Sequence, residues 1–321
     1  MPPPSPVRVV SSRTVKPPAR PRERIPLASW DVSMINANYI QKGLLFPAPP
    51  PPFSTGAAVT SHLADALAEA LGGDYYPVAG RFVTDRHRDD SGAVVGCSVS
   101  IDCDGQGVEV IHAVADGVVA DDVVPLDADV PSIVEDLFLL NDAINYDGHE
   151  LPLFAAQVTE LADGSVFVGF VCNHALADGT AFWNFLKTLA EISRARLLAR
   201  GGHGRAAAAV GCAVAANTNA SIRARVAAWT ADPVVTVRLT MMGGSPWFDA
   251  YGCDFGWGKP TAVRSGRANK NDGRTVLYPG REGGGSVDAE VSLSPEHMAA
   301  LELDDELRAA VSSSRANFVS L

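Results

Sequence analysis

The stretch VFVGFVCNHALADGTAFWNF, Val166–Phe185, decides how the chain is read. An apolar run from Val166 to Cys172 ends at Asn173 and delivers His174 into a tight His-Ala-Leu-Ala-Asp-Gly turn. Apolar residues then fall at Phe182, Phe185, Leu186, Leu189 and Ile192. Three-and-four spacing of that kind marks one buried helix face. His174 therefore stands at a strand-to-helix corner, where a side chain is held rigidly yet can reach a cleft.

Working outward, Ala155–Leu161 and Ser165–Asn173 flank Ala162-Asp163-Gly164 and predict a hairpin. The same reasoning predicts a second hairpin, Val94–Asp102 with Val108–Val114, around Asp104-Gly105-Gln106-Gly107. Val7–Val15 reads as an opening strand, and Leu27–Phe46 as a short helix or loop followed by a strand. Ser61–Leu71 reads as a helix stopped by Gly72-Gly73, and Val130–Asn141 as a short one. Beyond the corner, the helix continues over Leu186–Arg200, and Ala206–Trp229 has a helical pattern. Val234–Met241, Thr275–Tyr278 and Val287–Leu293 read as strands. Ser294 and Pro295 open a last helix with Met298, Leu301 and Leu307 on its apolar side.

The 321 residues allow two domains or one large one. A composition of 47% apolar and 20% charged residues is that of a soluble globular protein. The net charge of −11 argues against nucleic acid or an anionic membrane as the main partner. Five cysteines, odd in number and without the close pairs of a zinc site, fit a reducing compartment. The Met-Pro-Pro-Pro-Ser-Pro start lacks a signal-peptide core, and no stretch reaches the ~18 apolar residues of a membrane span. A cytoplasmic location is the expectation.

The pattern His-x-x-x-Asp-Gly occurs twice, at His112–Gly117 and His174–Gly179. Both copies are expected to close a strand, but only the second runs into a long amphipathic helix. His174 is the preferred candidate, and His112 reads as an ordinary strand-end histidine. An imidazole with an ordinary pKa near 6.5 is the natural general base at neutral pH. Zinc spacing is missing, so no metal is expected, and no Gly-x-Ser-x-Gly elbow supplies a serine nucleophile. The nucleophile is then a hydroxyl or amine brought by the substrate. Asp178 is expected to hold the loop by an ion pair or backbone bonds, and Gly179 to permit the turn. The glycine-rich 280–286 loop lacks a phosphate-loop ending and lies between two strands. Asp254–Gly258, DFGWG, has no kinase companions and reads as a packed loop.

HALADG and DFGWG, in that order, resemble the signature pair of the plant BAHD acyltransferases. Tyr76–Arg81, Gln157-Val158-Thr159, Ala190–Arg194 and Arg264–Glu290 are similar to further blocks of that family. The resemblance implies an α/β, chloramphenicol-acetyltransferase-like two-domain fold with mixed β-sheets and a channel between the domains. His174 would be the general base that lets an acceptor hydroxyl or amine attack the thioester of an acyl-CoA. Acyl-CoA would be a co-substrate, with no permanently bound cofactor and a monomer expected. Asp178 and Gly179 would support the His174 loop, and Ser245 or a nearby amide would meet the oxyanion. Asp254, Phe255, Gly256, Trp257 and Gly258 would be structural.

One spacing departs from the family: only Thr180–Cys253 separates the two motifs. The expected deficit is on the order of a hundred residues around Gly201–Gly204, for domains of usual size. The division is then 1–200, an N-terminal domain carrying His174, and 205–321, an incomplete second domain carrying DFGWG. A catalytically impaired member, or a same-scaffold enzyme with lyase-type chemistry, are the alternatives to an acyltransferase.

Overall fold

Val166–Cys172 forms a strand buried along its whole length, as a continuous apolar run does when both sheet faces are covered. The computed structural model describes residues 5–125, 129–199, 241–280 and 285–305. The expected helix over Ala206–Trp229, the strand before Met241, and Leu307 lie outside the described residues.

In chain order the strands are β1 (Val7–Val15), β2 (Arg24–Pro26), β3 (Ile40–Phe46), β4 (Arg81–Arg88), β5 (Val94–Asp102) and β6 (Val108–Ala115). Then come β7 (Phe154–Leu161), β8 (Val166–Cys172), β9 (Met241–Gly244), β10 (Ala262–Ser265), β11 (Arg274–Pro279) and β12 (Val287–Ser292). The helices that matter are α1 (Ser29–Ser33), α2 (Gly56–Gly72), α3 (Ala120–Val123), α4 (Ile133–Asp136), α5 (Gly179–Ala199) and α6 (Pro295–Glu302). A mixed sheet in the order β1-β6-β7-β8-β3-β10 is the frame. Only β6 and β7 run parallel in it. Two smaller sheets, β2-β5-β4 and β12-β11-β9, flank it.

Side-chain alternation gives β8 two lives. Val166, Val168, Phe170 and Cys172 join the core cluster that α2 and α5 cover. Phe167 and Val171 face the other way, onto Val134, Leu137 and Phe138 around α4. Each fully buried Phe of this kind contributes roughly 1.5–3 kcal/mol of transfer free energy. The β7–β8 hairpin forms in the register Glu160↔Val166 to Phe154↔Cys172. α2 begins ahead of the predicted Ser61, because Thr55 Oγ1 accepts the Ala58 amide at 3.2 Å and caps the helix there.

Three expectations are corrected. β5 and β6 do not form a hairpin: β5 pairs with β2 and β4, β6 with β1 and β7. The connecting loop is bound elsewhere, since the Gly107 amide donates to Ala79 O at 2.9 Å and Arg81 Nη1 donates to Gly107 O at 3.0 Å. His112 is consequently mid-strand in β6, not at a strand end. Of the helix read over Val130–Asn141, only α4 forms. Gln41 Nε2 on β3 donates to the Leu139 carbonyl and to Asn141 Oδ1, at 2.8 and 2.9 Å, so these groups find partners outside a helix.

The second half of the chain enters the first half's core. β10 adds to the β3 edge from Ala262↔Leu45 to Ser265↔Lys42. Phe255 and Trp257 of DFGWG are buried in the same cluster as α2 and α5. The remaining described strands, β9, β11 and β12, make the three-stranded sheet.

Candidate active site

Asn173, fully buried, follows the end of β8 and organises the turn. Its side chain accepts the Ala175 amide at 3.0 Å and donates to the Asn145 carbonyl at 2.9 Å. Asn145, also fully buried, returns the bond: its Oδ1 accepts the His174 amide at 2.7 Å while its Nδ2 donates to Met34 O at 2.7 Å. Two reciprocal asparagines thus fix the backbone of His174 from both sides. Nothing in the sequence singled out Asn145, which comes from a separate loop 29 residues away. A polar residue between apolar neighbours was its sole mark.

The His174 ring is part-buried. Its Nδ1 is inaccessible to solvent and has no hydrogen bond among the described residues. Burial, first, holds the imidazole pKa below its ordinary value of 6.5, and the charges of Arg274 and Lys42 push the same way against Asp178. The ring is therefore neutral at pH 7 and free to accept a proton.

Asp178 is exposed and caps α5: its Oδ1 accepts the Ala181 amide at 2.7 Å, and its carbonyl accepts the Phe182 amide at 2.9 Å. Gly179 needs a different explanation from the predicted one. It lies in the first turn of α5, outside the left-handed region. A Cβ there would approach the Phe248 ring to 3.3 Å, so glycine lets the segment before DFGWG sit against the helix start. Phe248 in turn faces Trp183 of α5 at 6.4 Å. Ser245 Oγ accepts the Trp247 amide at 3.2 Å.

The DFGWG loop is a separate construction. Asp254 Oδ1 accepts the amides of Gly256 and Gly258 at 2.8 and 3.1 Å. Both glycines have positive φ, +105° and +114°, a conformation other residues seldom adopt. The turn sets Phe255 and Trp257 face to face at 5.4 Å, with Phe46, Phe53 and Phe170 around them. Ser193 Oγ on α5 donates to the Phe255 carbonyl at 2.5 Å. Ser193 is about 20 Å along the helix axis from Gly179, at ~1.5 Å per residue. The structure thus places His174, Asp178 and Gly179 at one end of α5, and DFGWG near the other.

His112 faces a different environment. It is buried on β6, its Nε2 3.8 Å from Glu160, whose carboxylate accepts the Gly56 amide at 2.6 Å. Burial first lowers its pKa, with Glu160 opposing. Burial pushes the thiols of Cys172 and Cys253 up to about 12 each, so both are poor nucleophiles at neutral pH. The His174 backbone is fixed by the two asparagines, and burial keeps its imidazole neutral at pH 7. Among the described residues no helix is long and apolar enough to cross a membrane.

The mixed-sheet α/β fold carries His174 at a strand-to-helix corner, and the comparisons give the family. The profile of the Transferase family matches residues 5–200 and 212–308, and the chain belongs to this family, that of the BAHD acyltransferases. An uncharacterised acetyltransferase of Arabidopsis thaliana is 38% identical over 190 residues, covering 58% of this chain and 40% of the relative. The chain spans about two fifths of the length of the curated relatives it matches. Among solved structures, vinorine synthase superposes with a TM-score of 0.66 at 15% identity, covering 97% of this chain and 99% of its own. TRI101 of F. graminearum, in complex with coenzyme A and T-2 mycotoxin, gives 0.62 at 13% identity, over 89% and 98%. The mixed α/β architecture is shared with both.

Proposed function

We propose that the chain transfers an acyl group from acyl-CoA to a hydroxyl or amine of a small-molecule acceptor, with His174 as general base. The observation that carries this reading is the backbone clamp of Asn145 and Asn173 on a neutral, part-buried His174. Family membership supports acyl transfer, and a neighbour of the same fold holds coenzyme A and a small-molecule acceptor. His174 takes the acceptor proton as its oxygen or nitrogen bonds to the thioester carbonyl carbon. Collapse of the tetrahedral intermediate breaks the C–S bond, and the imidazolium returns its proton to the leaving thiolate. Asp178, Gly179 and the DFGWG residues serve as scaffold. A cytoplasmic monomer is the form we propose, the free Cys97, Cys103, Cys172 and Cys253 fitting a reducing compartment.

A second reading is that turnover has been lost. The family match breaks between residues 200 and 212, which favours a missing segment after Arg200 and an incomplete second domain in 205–321. The two readings part on one experiment. The purified protein is incubated with acetyl-CoA or a hydroxycinnamoyl-CoA and a panel of alcohols and amines. Free thiol is followed, and the acylated product identified by mass. Acceptor-dependent product supports the transferase; a folded protein that binds no CoA and yields no product supports the impaired member.

A further inference from the structure

The junction of β3, β10, β11 and β12 holds more positive charge than it answers. Lys42 on β3 is 6% exposed, and its ammonium donates to Ser265 Oγ on β10 at 2.7 Å and to Tyr278 Oη on β11 at 3.1 Å. Lys270, just after β10, pairs with Glu290 Oε1 on β12 at 3.3 Å. Glu290 Oε2 accepts the Ser265 amide at 3.1 Å and the Tyr278 hydroxyl at 3.3 Å, so both carboxylate oxygens are engaged. Arg274, which opens β11, is part-buried, and its Nε is shielded from solvent without a hydrogen bond among the described residues. Three cations, Lys42, Lys270 and Arg274, thus sense the one charge of Glu290. Charge buried on such terms is costly unless something opposite in sign answers it.

Register puts these groups in one row. Arg274, Val276 and Tyr278 alternate along β11, so their side chains leave it on the same side. Ser292 and Glu290 of β12 stand opposite Arg274 and Val276, and Ser265 of β10 stands opposite Lys42 of β3. The Arg274 guanidinium lies alongside Gly243 of β9, with Nη2, Nε and Cζ 3.4, 3.6 and 3.9 Å from where a Cβ would stand. From Gly243 the chain enters the Ser245–Phe248 turn, closed by the Phe248 amide on the Ser245 carbonyl at 3.1 Å. That turn delivers the Phe248 ring against Gly179, beside Asp178 in the His174 turn. One short loop and a ring contact therefore join the cation row to the candidate base.

We propose that Arg274 and Lys42 form a carboxylate-binding subsite for the acceptor, so that the chain takes hydroxyl- or amine-bearing acids in preference to their neutral counterparts. The inference rests on the acyl-transfer reading for the word acceptor, though its test reads binding alone. Donor count fits the ligand. An ammonium has three N–H groups, and Lys42 spends two on Ser265 and Tyr278. Nε and Nη2 make the side edge of the Arg274 guanidinium, a fork that matches the two oxygens of a carboxylate. A bound carboxylate also answers the surplus left after Glu290. Burial, first, brings the Lys42 pKa down to about 7, and a carboxylate beside it favours the charged form. The phosphates of coenzyme A offer oxyanions of related chemistry, and the experiment separates the two sources.

The test is calorimetric titration of the full chain with salicylate, anthranilate and ferulate, each against its methyl ester, and separately with coenzyme A. At least one acid should bind wild type roughly tenfold or more tighter than its ester, the size of a charge-assisted, two-pronged bond. Arg274→Gln should erase that preference while leaving the affinities for the ester and for coenzyme A unchanged. Lys42→Gln reads the second cation in the same way, and keeps the proposal testable should Arg274→Gln fail to fold. No binding of any acid, or equal affinity for every acid and its ester, overturns the proposal. So does an acid preference that survives in the folded variants, a loss shared equally by acid and ester, or a loss confined to coenzyme A, which would assign the cations to its phosphates. Acid-selective binding in a protein without turnover upholds the subsite and removes only the activity.

Discussion

The amide of His174 is held at 2.7 Å by Asn145 Oδ1, while the ring itself carries no hydrogen bond at Nδ1 among the described residues. Position comes from the backbone, and protonation state from burial and charge. Asn145→Ala removes the acceptor for the His174 amide and the donor to Met34 O, leaving buried groups unpaired. The expected cost is about 1–3 kcal/mol of stability, read by urea denaturation. A transferase assay should show kcat reduced further than KM, because the base is displaced and not the ligand. At this scale the sequence was half informative. The strand-to-helix corner that holds His174 and Asp178 was legible from the pattern, and the Asp178 N-cap follows from ordinary helix-start chemistry. Asn145 was not, because its partner is set by loops meeting in space. Gly179 was read as permitting the turn, but what crowds a side chain there is Phe248, 69 residues on, whose ring a Cβ would approach to 3.3 Å.

Among the elements, the two hairpin readings came out differently. The β7–β8 hairpin follows from a three-residue Ala-Asp-Gly turn between apolar runs. The same cue failed between β5 and β6, where Arg81 and the Ala79 carbonyl bind the loop and each strand finds its partners in a different sheet. The DFGWG loop shows how an element is specified by stacking. Trp257 lies among Phe46, Phe53, His62 and Phe255, and its Nε1 is buried without a hydrogen bond among the described residues. Trp257→Ala should cost roughly 3–5 kcal/mol by cavity formation. Trp257→Phe should cost less than half of that, since it keeps most of the ring contacts and removes an unpaired donor. Equal losses for the two substitutions, measured by chemical denaturation, would contradict a packing role.

Across the whole molecule, the halves read as 1–200 and 205–321 share one apolar core. β10 completes the main sheet beside β3, and Phe255 and Trp257 fill the space between β3, α2 and α5. Pairing of strands more than two hundred residues apart leaves no local trace, which is why this joint was not legible in the sequence. A fragment ending at residue 200 exposes the β3 edge and the aromatic floor. It should bind an apolar dye and aggregate, and recover on co-expression with 205–321; a monomeric, cooperatively folding fragment would contradict the shared core. The central claim, that this scaffold serves acyl transfer through His174, has a more direct test. Acceptor-dependent transfer from acyl-CoA is measured for wild type, His174→Ala and His112→Ala under saturating acceptor. The account predicts a fall of roughly 10²–10⁴-fold in His174→Ala, the usual worth of a positioned base, with CoA binding retained and His112→Ala close to wild type wherever it folds. Wild-type turnover that survives in His174→Ala would contradict it.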